Sequence, residues 1–144
     1  MIEQDTIKLL RECDAGIKMG VSSIDDVLDK AQCQGLRDCL KSCKDKHVTL
    51  QNEIEGMLTD YHDDGKEPNM MAKNMSHMKT AIKTSFDESD NTIADLITDG
   101  CNMGVKSLSR YLNQYAAADE SSKDITKRLI NLEERLAVDM RQYL

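Results

Sequence analysis

"GIKMGVSS", residues 16–23, places two glycines four apart in a stretch whose other residues favour helix. A glycine inside a helix is unfavourable by about 1 kcal/mol relative to alanine, so a spaced pair needs a reason. "GCNMGVKS", residues 100–107, repeats the pattern 84 positions later. Under that shift Gly16 falls on Gly100, Met19 on Met103, Gly20 on Gly104 and Val21 on Val105. Ser23 falls on Ser107, Ile24 on Leu108 and Leu28 on Leu112. Seven matches over the thirteen positions 16–28 describe two helices written alike, and predict a duplicated helical hairpin.

The flanking sequence supplies the hairpins. A first helix is expected over about residues 4–31, with Ile7, Leu10, Asp14, Ile17, Val21, Ile24 and Leu28 recurring at spacings of three and four. After a short break at "QCQG", a second is expected over about 36–61. Its seam is Leu36, Leu40, Cys43, His47, Leu50, Ile54, Met57 and Tyr61. "HDDGKEPN", residues 62–69, carries the single proline and is the strongest break. A short helix is expected over 70–83, then a third long helix over about 87–117 with Ala94, Thr98, Cys101, Val105, Leu108, Leu112 and Tyr115 on its seam. "ADESS" ends it, and Asp119 or Ser121 is placed to cap a last helix from about 122 to the end. Ile125, Leu129, Leu132, Leu136, Met140 and Tyr143 line that helix. Four amphipathic helices in 144 residues predict one all-α domain over residues 1–144, a four-helix bundle. Two tight turns and one long connection, residues 62–86, predict two antiparallel hairpins joined by a crossover.

Two stretches, "IKLLRECDAGIKMGVSSIDDVL" and "MSHMKTAIKTSFDESDNTIADLITDGCNMGVKSL", carry a resemblance to the ferritin-like superfamily. Within it the chain is similar to a small bacterial family of four-helix bundles, a domain of unknown function. The resemblance implies the ferritin-like fold with a short helix in the crossover, and a bacterial source. It implies no activity.

Composition narrows the function. A formal net charge of −7, with no basic patch interleaved with aromatics, opposes nucleic acid and anionic membrane surfaces. No apolar run approaches the length of a membrane span, and the start "MIEQDTIKLLREC" lacks a secretory pattern. Five cysteines, an odd number without a C-x-x-C pair, suit free thiols in a reducing compartment. The expectation is a cytoplasmic protein.

A di-iron site in a ferritin-like bundle takes a Glu from each of two helices and Glu-x-x-His from the other two. Here the residue three before His47 is Lys44, and Glu133 and Glu134 are followed by Leu136 and Ala137 with no histidine. Glu12 and Asp14 on the first helix, and Thr98 and Asp99 on the third, do not complete the set. Smaller constellations remain. Asp14 and His47 sit on adjacent seams, with Glu133 able to point at the same layer; a buried His–Asp hydrogen bond is expected, a mononuclear metal or acid–base pair being the alternative. Cys39, Cys43 and His47 share one face of the second helix, near Cys13 and Cys101, and are read as packing thiols, with a soft-metal site as the alternative. Met70, Met71, Met75 and Met78 with His77 read as a packing helix. The acids of "DESDNTIAD", residues 87–95, suit a helix start, and His62 is read as a solvated helix end.

No catalytic, cofactor or metal residue is therefore assigned, and no cofactor. The reading is a non-catalytic bundle with a structural or protein-interaction role, as a homodimer through a helix face or with another protein. Its alternative is a ferritin-like metal-binding or redox protein with a degenerate site. The glycines are expected to form small faces, Gly16–Gly20–Ser23 and Gly100–Gly104–Ser107, that meet each other or equivalent neighbours at the bundle's waist. Leucine at Gly20 or Gly104 would overpack that contact.

Overall fold

The computed structural model describes residues 2–63, 65 and 89–144. These form four long helices: α1 Ile2–Leu28, α2 Gln34–Asp60, α3 Asp90–Gln114 and α4 Glu120–Met140, followed by a 3₁₀ turn at Arg141–Tyr143. Among the described residues there is no strand, so the fold is an all-α four-helix bundle. The helix expected over 70–83, with Met70, Met71, Met75, Met78 and His77, lies outside the described residues, as does the start of the acidic stretch 87–95.

The helix ends follow their side chains. Ser89 caps α3, its hydroxyl accepting from Thr92 N, and Asp119 caps α4, its carboxylate accepting from Ser122 N at 2.8 Å. α1 stops at Leu28, three residues before the expected end. Lys30 N donates to Val27 O in the turn that replaces its last residues. Asp90 holds this turn from another helix: its carboxylate accepts from Gln32 N at 2.8 Å and Cys33 N at 2.9 Å.

End-to-end hydrogen bonds fix the directions. Asp5 and Thr6, at the start of α1, accept from Ala117 N and Asp119 N in the α3–α4 turn. Tyr61, after α2, donates to Asp119. At the other end Asp90 meets the α1–α2 turn, and Asn91 donates to the carbonyl of Tyr143. Hence α1 and α4 run one way, α2 and α3 the other. Asp60 and Asp90 lie at opposite ends of helices about 40 Å long. The hairpin pairs α1–α2 and α3–α4 pack most closely, α1–α3 and α2–α4 form the other two sides, and α1 and α4 also touch across the diagonal.

The core falls into two apolar halves. One gathers Ile24, Val27, Leu36, Leu40, Ile93, Ile97, Leu136 and Met140. The other gathers Leu10, Ile17, Ile54, Leu58, Leu108, Ile125 and Leu129. The seam positions predicted for the four helices mostly enter these halves, and Leu58, Ile93 and Ile97 widen them. What lies between the halves is polar.

Candidate functional site at the bundle waist

His47 faces inward from the middle of α2 and is 1% exposed. Its Nε2 lies 2.6 Å from Glu133 Oε1 of α4. Its Nδ1 donates to the carbonyl of Cys43, one turn back, at 2.8 Å, and lies 3.4 Å from the Cys43 thiol. A carbonyl can only accept, so Nδ1 carries a proton; the Glu133 carboxylate likewise accepts a hydrogen bond from Nε2. The ring that satisfies both partners is the imidazolium. Burial opposes that charge, but the hydrogen bonds to Cys43 and Glu133 and the Glu133 charge outweigh it, raising the His47 pKa to about 10. The pair is a charge-assisted bond held between two apolar half-cores.

The repeated glycines make the space. A Cβ on Gly20 of α1 would stand 3.2 Å from His47 Nε2 and 3.3 Å from Cδ2. A Cβ on Gly104 of α3 would meet the Glu133 carboxylate from 3.6 Å. Thus α1 offers a bare patch to the imidazole and α3 offers one to the carboxylate. The expectation that the glycine faces meet at the waist requires correction. Gly20 and Gly104 close on the ion pair lodged between them. Gly16 and Gly100 are exposed, and a Cβ on either meets nothing within 4 Å. A step of four residues along an inward flank carries a position about 40° past a full turn of the helix, enough to move it from waist to solvent.

The expected Asp14–His47 hydrogen bond does not form. Asp14 is fully buried, but its carboxylate is bound by Lys18 Nζ at 2.8 Å and lies against Gly65, beside Leu58. Leu58 is three turns along α2 from His47, so Asp14 and His47 occupy different layers. The acid on adjacent helix α1 was the wrong partner; Glu133 on α4 is the right one.

The cysteines also separate. Cys13 enters the second half-core, where its thiol donates to Thr126 Oγ1 at 3.2 Å while that hydroxyl donates to Ser122 O. Cys33 is exposed in the α1–α2 turn. Cys39 lies at the α2–α4 surface, its thiol 3.8 Å from Asp139 Oδ2. Cys101 is buried on α3 with its thiol directed to Glu133. Burial raises the Cys13 thiol to about 12; burial and Asp139 raise Cys39 to about 11; burial and Glu133 raise Cys101 further. Only Cys43 and His47 of the proposed Cys39–Cys43–His47 face touch. Among the described residues no three His, Cys, Asp or Glu side chains are grouped to hold one metal ion. Cys43 and Glu133 lie at opposite nitrogens of the ring, which keeps them from sharing an ion with it. His62, expected as a plain helix end, takes a positive φ of 56°, and its amide donates to Thr59 O.

No family model, curated protein or solved structure matches this chain.

A cleft of about 130 Å³ opens between α2 and α4 beside this layer, lined by Cys39, Ser42, Cys43, Lys46, Arg135 and Asp139 among others. It continues into a broad open groove over Leu50 and Leu132, whose far end is bridged by Arg128 to Glu53 at 2.8 Å. Among the described residues no helix is long and apolar enough to cross a membrane. Sequence reasoning found His47 and named Glu133, but missed Lys18 and Gly65 as the setting of Asp14. Glycine in "HDDGK" was the one available signal for the latter, since it marks a backbone site that takes φ above zero.

Proposed function

We propose that this chain is a non-catalytic, cytoplasmic helical bundle of ferritin-like topology, with a structural or protein-interaction role, self-associating through a helix face. The up-down-down-up order of helices supports the ferritin-like reading, because it requires one connection between opposite ends of the bundle. The matched glycines, seated on the two members of one ion pair, support descent from a duplicated hairpin. The observation that carries the functional reading is the mutual engagement of the buried ionisable groups. His47 is bound at both nitrogens by Cys43 and Glu133, and Asp14 is bound by Lys18. Engaged in this way, His47 and Asp14 hold helices together, and neither lines the cleft or the groove between α2 and α4.

Two measurements on protein purified without chelator test this. Elemental analysis is expected to find no stoichiometric transition metal, and sedimentation equilibrium is expected to show a reversible dimer. One tightly held ion per chain overturns the reading in favour of a metal-binding member. A strict monomer at all concentrations removes the self-association.

A further inference from the structure

The Cys43 sulfur, the His47 ring and the Glu133 carboxylate stand in series. The thiol is 3.4 Å from Nδ1, and Nε2 is 2.6 Å from Oε1. This is the arrangement of a nucleophile beside an imidazole that is itself oriented by a third group. The ring cannot swing away, because the Cys43 carbonyl and Glu133 hold it at both nitrogens and Gly20 backs it.

Cys43 also has a route to solvent. It is 5% exposed and lines the cleft of about 130 Å³ between α2 and α4. That volume admits a molecule of a few heavy atoms and excludes a drug-sized one. The charged and titratable groups around the sulfur can be named by element. α2 contributes Cys39, Lys46 and His47; α4 contributes Glu133, Arg135 and Asp139; α3 contributes Cys101 behind Glu133; α1 contributes uncharged Gly20. Two cations, Lys46 and Arg135, thus share the cleft with the single anion Asp139, while the His47 imidazolium lies directly at the sulfur. The thiolate is the nucleophilic form of a thiol, and the cleft through which the sulfur is reached is lined by more cations than anions.

We propose that Cys43 is a reactive thiol of this chain, a modification site for small hydroperoxides, with His47 and Glu133 as its positioning residues. In the reaction the Cys43 proton leaves to solvent through the cleft, and the sulfur attacks one peroxide oxygen. The S–O bond forms as the O–O bond breaks. Sulfur is oxidised to the sulfenic acid and the peroxide is reduced. The departing hydroxide takes up a proton from solvent, so thiol and hydrogen peroxide give sulfenic acid and water. Among the described residues Cys13, Cys39 and Cys101 have no imidazole beside them, and burial, with Asp139 for Cys39, favours their thiol forms, so the chemistry is selective for Cys43 among these four.

The test uses the full chain, hydrogen peroxide as oxidant and dimedone to trap sulfenic acid, with each cysteine peptide quantified by mass spectrometry. Exposed Cys33 is the internal reference. In native protein at neutral pH, Cys43 is expected to label at least tenfold faster than Cys33, and the two are expected to label alike in 8 M urea. His47→Gln and Glu133→Gln, checked for retained helix by circular dichroism, are expected to slow Cys43 at least tenfold and leave Cys33 unchanged. Native Cys43 labelling no faster than Cys33, or unaffected by His47→Gln in a folded variant, overturns the proposal. If neither variant folds, the native-to-urea rate ratio in the wild-type chain decides it alone.

Discussion

His47 Nε2 and Glu133 Oε1 meet at 2.6 Å in a plane that divides the bundle core into two apolar halves. The pair links α2 to α4, and so links the two hairpins at their middle. Removing one member of a buried charged pair strands the other, a loss of about 3–5 kcal/mol. His47→Ala and Glu133→Ala are each expected to lower unfolding stability by that order in urea titrations. The double variant is expected to lose much less than the sum, since no charge is then left alone. Additive losses would show that the two side chains are independent.

The same pair sets a pH dependence. The folded pKa of His47 is about 10, above its unfolded value near 6.5. A group whose pKa rises on folding contributes stability that is complete below the unfolded value and is lost as pH climbs through the folded one. Between about pH 7.5 and 8.5 His47 holds about one more proton in the native chain than in the unfolded one, so its share of the stability should fall by about 1.4 kcal/mol per pH unit. The raised thiols Cys13, Cys39 and Cys101 add a loss of the same sign, which sets in from about pH 7.5 as the unfolded thiols begin to ionise. Urea midpoints of wild type and His47→Gln across pH 6–8.5 separate the two: the variant keeps only the thiol slope and should be nearly flat below about pH 7.5.

The four repeated glycines are expected to respond in three ways. Gly16→Ala and Gly100→Ala meet open space and should each stabilise by about 0.5–1 kcal/mol through helix propensity. Gly104→Ala makes ordinary contact with the Glu133 side chain at 3.6–3.7 Å and should also stabilise, by less. Gly20→Ala places a methyl 3.2 Å from a ring held on both sides, so the propensity gain should vanish or reverse. Gly20→Leu should destabilise by more than about 1 kcal/mol through overpacking. Thermal denaturation of the five variants gives the order.

Gly65 should tolerate no side chain. Its φ is +88°, its amide donates to Asp63 Oδ1 at 2.8 Å, and a Cβ there would collide with the buried Asp14 carboxylate. Gly65→Ala combines left-handed strain with displacement of the Asp14–Lys18 pair, and is expected to cost more than about 1 kcal/mol. A melting temperature equal to wild type would show that the loop moves aside freely.

Asp119 is the cap of α4 and also receives the Tyr61 hydroxyl at 3.4 Å. Asp119→Ala should cost about 0.5–2 kcal/mol, the usual range for a lost N-cap, and Asp119→Asn should recover most of it. Guanidinium titrations of the two variants check this.

The helices were legible in the sequence because each carries its own apolar period, and α3 and α4 also carry a side-chain cap. Leu36, Leu40, Cys43, His47 and Ile54 follow the spacing that puts side chains on one face, and all five are buried. Asp119 was legible as a cap for the same local reason. The partner of His47 was not. Asp14 and Glu133 are both acids at inward positions of helices that pack near α2, and spacing along one helix says nothing about height on another. The height is set by the turns at the ends, where Asp90 holds Gln32 and Cys33 and Thr6 holds Asp119.

By itself the sequence determined four amphipathic helices, the two tight turns between them and a polar residue in the middle of α2, since propensity, period and capping act within a few residues. Tertiary structure alone decided that Glu133 completes the waist, that Asp14 turns to Lys18, and that Gly20 and Gly104 seat the pair while Gly16 and Gly100 face solvent. Those outcomes depend on helix register and on the 40° or so by which a four-residue step overshoots a full turn, and these are fixed only when all four helices pack at once.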